Sequence, residues 1–551
     1  VKSPFLIELE AVRYAYRNSG ADRILDGINL QIRPDEYLLV CGASGSGKST
    51  LCRTFNGLIP HFFGGSLAGD IRVAGIPTAE QSIGALFTKL GMVFQNPEAQ
   101  LFNRTVEQEI AFGLESAGLE RGEIGKRIAE AAAAAGIEDL LPKNPHELSG
   151  GQQQLVSIAA ILALRPRAII LDEPYANLDP VNVRRVRAAL KKIHRGGIGV
   201  IVSEHRLALT AADAGRMVVL HRGRIVLDGP PEEILRRDVE GYGLELPLAV
   251  AVGRRLGLER PPLEIDALLP LLTGKTAGDA ASAAPPASEK SGPATVLSVD
   301  GISFAIDGRP ILRDVSFSLR EGECMAVVGA NGAGKTTLLK HLNGLLRPAR
   351  GTVTVLDRPT RGLKVSQLAR WVGIAFQNPN SQFFKLSVWD EIVVGAQALG
   401  CCDEAWLREL VRLFELEPLL ARAPYRLSEG EKKRTAFAAA LAARPAILAL
   451  DEPTAGQDLF FRRSLGRLFA ELRRRGQAVL LITQDLSFAE QYASRWLLLA
   501  EGEIVADGPP DEVMRNRAAM ERAHLEPTDR FRLSGFLQNL NGNGIREVSR
   551  P

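Results

Sequence analysis

Two stretches of this chain carry glycines, a lysine and a hydroxyl at the spacing that grips a phosphate. Gly42, Ala43, Ser44, Gly45, Ser46, Gly47, Lys48, Ser49 and Thr50 form the first, GASGSGKST. Gly329, Ala330, Asn331, Gly332, Ala333, Gly334, Lys335, Thr336 and Thr337 form the second, GANGAGKTT. In such a loop the glycines let successive backbone N–H groups curl around the β-phosphate. The lysine reaches the β and γ oxygens, and the Ser or Thr hydroxyl suits Mg²⁺.

Each loop is followed, in the same order, by the same further groups. Asp172 and Asp451 end apolar runs, AIILD and AILALD, where a carboxylate can hold Mg²⁺ through water. The adjacent Glu173 and Glu452 are placed to polarise an attacking water. Gln95 and Gln377, each in FQNP, supply a neutral amide that can contact Mg²⁺ or water reversibly. Ser149, Gly150, Gly151 and Gln152 open one predicted helix, and Ser428, Gly430 and Glu431 open another. A serine and a glycine at a helix N-terminus can receive an anion.

These groups need a scaffold that ends strands at phosphates and starts helices there. The runs YLLVCG, AIILDEP and GVIVSEH, and their counterparts CMAVVG, AILALDEP and AVLLITQ, alternate with helical stretches. Continuous apolar runs of this kind predict α/β structure with a largely parallel sheet. Residues 105–147 and 387–426 read as helical and form an insertion in each half. The predicted organisation is a first domain over 1–240, its C-terminal extension over 241–273, a linker over 274–294, a second domain over 295–520 and a tail over 521–551. The linker is rich in Ala, Ser, Gly and Pro and reads as a mobile coil of roughly 25 Å mean span. The end of the tail, LQNLNGNGIREVSRP, reads as unstructured.

Taken in order, these motifs resemble those of the ABC-type ATPases: Walker A, Q-loop, signature, Walker B with its glutamate, D-loop and H-loop. The resemblance covers nearly the whole chain. It implies the fold class, two tandem P-loop NTPase (ABC-type) domains, each with an inserted helical subdomain. It implies ATP and Mg²⁺ as cofactors, and a head-to-tail pair in which each ATP lies between one half's Walker A and the other's signature. The D-loop positions are Asp179 and Asp458, the first H-loop position is His205, and the A-loop aromatic is Tyr16. The implied catalytic set is Glu173 and His205 in one half, Glu452 and Gln484 in the other.

A narrower resemblance lies in FQNPEAQLFNRTVEQEIAFGLE and FQNPNSQFFKLSVWDEIVVG, which are similar to the ATPase subunits of energy-coupling factor importers of vitamins and metal ions. That resemblance implies two membrane partners, a transmembrane coupling protein and a small substrate-binding protein. It places the chain on the cytoplasmic face of the membrane and makes Glu107, Glu109, Asp390 and Glu391 candidates for meeting the arginines of coupling helices. A twin ATPase acting on ribosomes or DNA stays open as an alternative, as does the ATPase of a sugar or peptide importer. The first usually adds a long charged linker or metal-spaced cysteines. Here the linker is short and near neutral, and the Q-loop spacing favours the coupling-factor type.

The second half departs from the family pattern. Ile306 stands where Tyr16 does, Gln484 stands where His205 does, and its signature reads LSEGE. An inward Glu429 would repel bound phosphates. If the pairing is head to tail, the site built on the first P-loop keeps its histidine and is expected to be the faster one.

Over 551 residues the charged fraction is 24% and the net charge only +3, which gives no electrostatic case for wrapping nucleic acid. The five cysteines form no CxxC pair and read as free thiols of a reducing compartment. No apolar run approaches the length that crosses a bilayer. The opening residues, VKSPFLIELE, read as no signal peptide.

Overall fold

The computed structural model describes residues 4–17, 23–176, 178–272 and 293–547. They fall into two compact units, Val1–Pro270 and Leu271–Pro551. All but the last two residues of the expected linker lie outside the described residues.

The first unit contains β1 (Ile7–Ala15), β2 (Leu25–Ile32), β3 (Tyr37–Cys41), β4 (Ser66–Val73), β5 (Ile76–Pro77), β6 (Leu90–Val93), β7 (Ala168–Asp172), β8 (Gly199–Ser203), β9 (Arg216–His221) and β10 (Arg224–Gly229). The second contains β11 (Thr295–Ile306), β12 (Arg309–Arg320), β13 (Cys324–Val328), β14 (Arg350–Val355), β15 (Arg358–Pro359), β16 (Val372–Ala375), β17 (Ile447–Asp451), β18 (Ala478–Thr483), β19 (Arg495–Ala500) and β20 (Glu503–Gly508).

Each unit has a six-stranded sheet, in the orders β10-β9-β3-β8-β7-β6 and β20-β19-β13-β18-β17-β16. Every pairing in them is parallel except the edge pairs β9–β10 and β19–β20. Strands β3, β7, β8 and β13 are buried at every position, as strands covered on both faces must be. One face of β3 (Leu38, Val40) packs with helix Lys48–Phe55 and a second, four-stranded antiparallel sheet, β2-β1-β4-β5. The other face carries Leu39 and Cys41, which pack with Leu244 and Val250 of the C-terminal extension.

The topology sets the site. Strand β3 runs into the first phosphate loop, β8 lies beside it, and β7 with its terminal Asp172 lies one strand further. The residues that follow β8 therefore sit between the phosphate loop and the carboxylates. The inserted helices are Val106–Ser116 and Arg121–Ala135 in one unit, Val388–Ala398 and Glu404–Leu413 in the other. Thr105 and Ser387 cap the first of each pair with their hydroxyls.

The end of the chain differs from the sequence expectation. Helix Arg517–Arg522 runs across residue 520, and Ala523 and Leu525 are buried with the second unit's core. A further helix, Asp529–Glu547, occupies most of the stretch expected to be unstructured. Thr528 anchors its start, with its hydroxyl donating to Glu490 at 2.7 Å and accepting the Phe531 N–H at 3.1 Å.

Candidate active sites

Each phosphate loop closes on a glycine in left-handed geometry. Gly47 (φ 106°) and Gly334 (φ 101°) stand just before helices Lys48–Phe55 and Lys335–Leu342. A Cβ at Gly42 would lie 2.2 Å from the Leu220 carbonyl oxygen, so no larger residue fits there. Lys48 Nζ donates to the carbonyls of Gly42 (2.9 Å) and Ala43 (3.0 Å), and Lys335 Nζ to those of Gly329 (2.8 Å) and Ala330 (3.0 Å). The ammonium groups are thereby curled over the loops whose phosphates they would meet.

The first helical hydroxyl reaches the carboxylate at the end of the neighbouring strand. Ser49 Oγ donates to Asp172 Oδ1 at 2.9 Å, and Thr336 Oγ1 to Asp451 Oδ2 at 2.8 Å. Both aspartates are buried, and burial raises their pKa against the lowering effect of those hydroxyls. Asp172 also accepts from Ser203 Oγ at 2.5 Å. The adjacent glutamates have positive φ, 47° at Glu173 and 46° at Glu452. For a non-glycine residue this costs about 1–3 kcal/mol and is found where the surroundings force a side chain into position.

Beyond this shared frame the two glutamates differ. Glu173 Oε2 accepts from Gln95 Nε2 at 2.9 Å, and its Oε1 lies 3.6 Å from His205 Nδ1 and 4.0 Å from Lys48 Nζ. Burial alone would raise its pKa, but the facing His205 imidazole, with Lys48 and Arg206 nearby, holds the carboxyl below its usual range. Glu452 instead accepts the Gln484 backbone N–H at 3.0 Å and the Thr483 hydroxyl at 3.1 Å. Burial pushes its pKa up to about 7, against the lowering pull of Lys335 and of those hydrogen bonds. Both glutamates stand beside a loop lysine, which is where an attacking water would have to be polarised.

The chain matches the ABC transporter family over residues 25–176 and 312–455, once in each unit. An archaeal protein of Methanosarcina mazei, provisionally named an ABC transporter ATP-binding protein, is 34% identical across 95% of this chain and 92% of its own length. One of the same name from Methanosarcina acetivorans is 35% identical across 97% of this chain and 91% of its length. Among solved structures, cbiO1 of Clostridium perfringens, described as part of the ABC transporter complex cbiONQ, is 32% identical; the alignment covers 46% of this chain and 100% of that one, with a TM-score of 0.40. The chain belongs to the ABC transporter ATP-binding family. It is an ATPase with two such domains in tandem.

The other family positions fall as follows. The signature serines cap helices Gly150–Ala163 and Glu429–Leu441, each in a reciprocal capping box, Ser149 with Gln152 and Ser428 with Glu431. Gly150 and Gly430 lie in the first turns of those helices. A Cβ at Gly151 would lie 2.3 Å from Asn182, so that glycine admits the close approach of the next helix. Glu429 is paired with Lys432 at 2.9 Å, with 58% of its side chain exposed. The D-loop aspartates cap the helices after the Walker B strands: Asp179 accepts from Asn182 N at 2.8 Å and Asp458 from Phe461 N at 3.0 Å. Gln377 follows β16 as Gln95 follows β6.

Tyr16, just after β1, lies within 3.2 Å of Thr50 Oγ1 through its hydroxyl and packs edge-on against Tyr14. Its counterpart Ile306 is 47% exposed, which offers an aliphatic surface in place of an aromatic one. His205 is buried, while the side-chain oxygen of Gln484 has no hydrogen-bond partner among the described residues.

One expectation is overturned. Glu109 and Glu391 are buried and bound to their own loops. Glu109 Oε2 accepts the N–H groups of Phe102 (3.0 Å) and Asn103 (2.8 Å), and Glu391 Oε2 those of Phe384 (3.0 Å) and Lys385 (2.8 Å). They shape the Q-loop and are turned away from any partner's arginine. Glu107 and Asp390 remain exposed.

Sequence reasoning also missed Glu204, which is fully buried between the H-loop histidine and the end of β8. The signal available was a carboxylate directly after an apolar run and directly before His205, with Thr483 at the matching place in the other half.

Proposed function

We propose that this ATPase powers an importer of the energy-coupling factor type, taking a vitamin or metal-ion micronutrient across the membrane. The observation that carries the reading is a pair of apolar platforms at matching places in the two units. Phe102 (61% exposed) packs edge-on against Phe112, 4.8 Å between ring centres, on the loop held by Glu109. Phe384 (69%) and Leu386 (79%) stand on the loop held by Glu391. Exposed apolar groups on loops fixed by a buried carboxylate suit a docking surface for helices of a membrane partner. No helix among the described residues is long and apolar enough to cross a membrane. The partners proposed are a transmembrane coupling protein and a small substrate-binding membrane protein, with this chain peripheral on the cytoplasmic face.

In the proposed cycle each unit's Walker A loop holds one ATP. Mg²⁺ would be held by Ser49 and Asp172, and by Thr336 and Asp451, with Gln95 and Gln377 as further contacts. The hydroxyl and carboxylate donor sets fit a hard cation that keeps waters and phosphate oxygens as its other ligands. When bound, it would neutralise charge on the phosphates. Glu173 and Glu452 orient and polarise the water, and the loop lysines bind the β and γ oxygens. His205 steadies Glu173 at the first Walker A loop; at the second, Gln484 supplies only a backbone N–H to Glu452.

The test is a pull-down from native membranes with the tagged full chain. A multi-span protein copurifying with a small membrane protein supports the importer, and the small protein identifies the cargo. Ribosomes or DNA in its place would move the reading to a twin ATPase acting on those partners.

A further inference from the structure

The two active sites differ in what accepts the backbone N–H of the H-loop residue. In the second unit the Gln484 N–H goes to the Walker B glutamate itself, Glu452. In the first unit the His205 N–H goes to Glu204 Oε1 at 2.8 Å. The same oxygen accepts the Arg206 N–H at 3.1 Å and lies 3.2 Å from His205 Nδ1. Glu173, relieved of the H-loop amide, reaches Gln95 and the imidazole.

Glu204 is an expensive residue in this place. It is fully buried at the end of β8, where its own N–H continues the sheet to Val40 O at 3.1 Å. Its Oε2 has no hydrogen-bond partner among the described residues. A buried carboxylate with one oxygen unsatisfied is destabilising unless its other contacts offset the cost. Those contacts are all to the H-loop. Arg206, whose N–H it accepts, donates through a guanidinium nitrogen to the Tyr175 carbonyl at 2.6 Å, in the turn that leads from Glu173 toward the D-loop. In the second unit Thr483 stands at this place and donates to Glu452, while Asp485 takes the bond from Thr454 at 3.1 Å.

We infer that Glu204 is a positioning residue for the first active site: by accepting the H-loop amides and facing His205 Nδ1, it keeps Glu173 on Gln95 and His205 instead of on the H-loop backbone. A threonine fills only half of that role: Thr483 Oγ1 accepts the Asp485 N–H at 2.9 Å, the counterpart of the Arg206 N–H, and leaves the Gln484 N–H to Glu452.

The inference is tested in the full chain with Glu204→Gln, Glu204→Thr and Glu204→Asp, each checked for folding by thermal unfolding. The glutamine keeps an oxygen for the two amides, so kcat for ATP stays within about threefold of wild type. The threonine, as Thr483 does, serves only the second amide, which frees the His205 N–H for Glu173 and lets Glu173 retract. Its kcat falls by about tenfold or more while KM for ATP changes little, as expected for a contact that matters after binding. In a His205→Gln background the same Glu204→Thr change costs less than about threefold, because the two residues act as one unit. If Glu204→Thr does not fold, Glu204→Asp, which keeps the charge and loses the reach, should show the same fall in kcat.

A second readout needs no turnover. In ¹⁵N-histidine spectra of the nucleotide-free chain, the resonances missing from His205→Gln identify His205. They should report a proton on Nδ1, and that population should drop in Glu204→Thr or Glu204→Asp. A folded Glu204→Gln as inactive as the threonine variant overturns the inference. So does a loss that is undiminished in the His205→Gln background, or a His205 signal unmoved by loss of the carboxylate's reach.

Discussion

The side chain of Gln95 donates to Glu173, Nε2 to Oε2 at 2.9 Å, across 78 residues of sequence. The bond ties the Q-loop, next to the exposed Phe102 platform, to the group that would polarise water. Both glutamates lie 4.0 Å from their loop lysine, but Glu173 is also linked to the Q-loop and faces the H-loop histidine, whereas Glu452 is held by the H-loop backbone and Thr483. Glu173→Gln is therefore expected to remove most ATP turnover of the full chain, by at least about tenfold, and Glu452→Gln only a few-fold. Steady-state phosphate release from the two variants decides this ranking. Equal losses would show that the H-loop difference between Gln484 and His205 does not set the rate.

Glu109 is expected to be a stability residue. Its Oε2 collects two backbone N–H groups and, at 3.2 Å, the amide of Asn103. Removing it leaves those donors buried without a charged acceptor, at a cost of about 1–3 kcal/mol. Glu109→Ala should lower the first unit's unfolding midpoint, while Glu107→Ala, on the exposed side of the same helix, should leave it unchanged. A stable Glu109→Ala chain that loses only its membrane partners would restore the docking role the sequence suggested.

What the sequence could and could not reveal follows from where the information lies. The phosphate loops, Asp172, Asp451 and their strands were legible because glycine spacing and unbroken apolar runs are local properties of the string. The antiparallel sheet was not, because strands such as SLAGDIRV are half exposed and carry a glycine and charges that read as loop. Helix Asp529–Glu547 was hidden by its asparagines and glycines. Glu109 and Glu204 were misread or missed for one reason: a carboxylate in sequence looks solvated, and only tertiary structure supplies the backbone donors that bury it.

The apolar platforms give a prediction that separates docking from chemistry. Phe102→Ser and Phe384→Ser remove exposed side chains that lie outside the phosphate loops, so ATP binding by the isolated chain should be unchanged. Copurification with the membrane partner should fall in each, and by more in the double variant, because each unit offers its own platform. Unimpaired copurification of the double variant would sink the assignment of these loops as the docking surface.

Glu490 supplies a pH prediction away from the nucleotide. It is half-buried against helix Asp529–Glu547, and burial raises its carboxyl above the ordinary value of 4.5, with the Thr528 hydrogen bond and Arg530 opposing. The sign follows from linkage: a carboxylate whose pKa is higher in the folded chain takes up a proton on folding. Its contribution to stability is most favourable below its unfolded pKa and is lost as pH rises through the folded one. At neutral pH the charged form is a net cost. Glu490→Gln, which keeps an oxygen for Thr528, should raise the thermal midpoint at pH 7–8 and lose that advantage on acidification toward pH 4. Unfolding curves of both chains across that range check it. A constant difference at all pH values would mean that packing against the terminal helix, and not the charge, decides the effect.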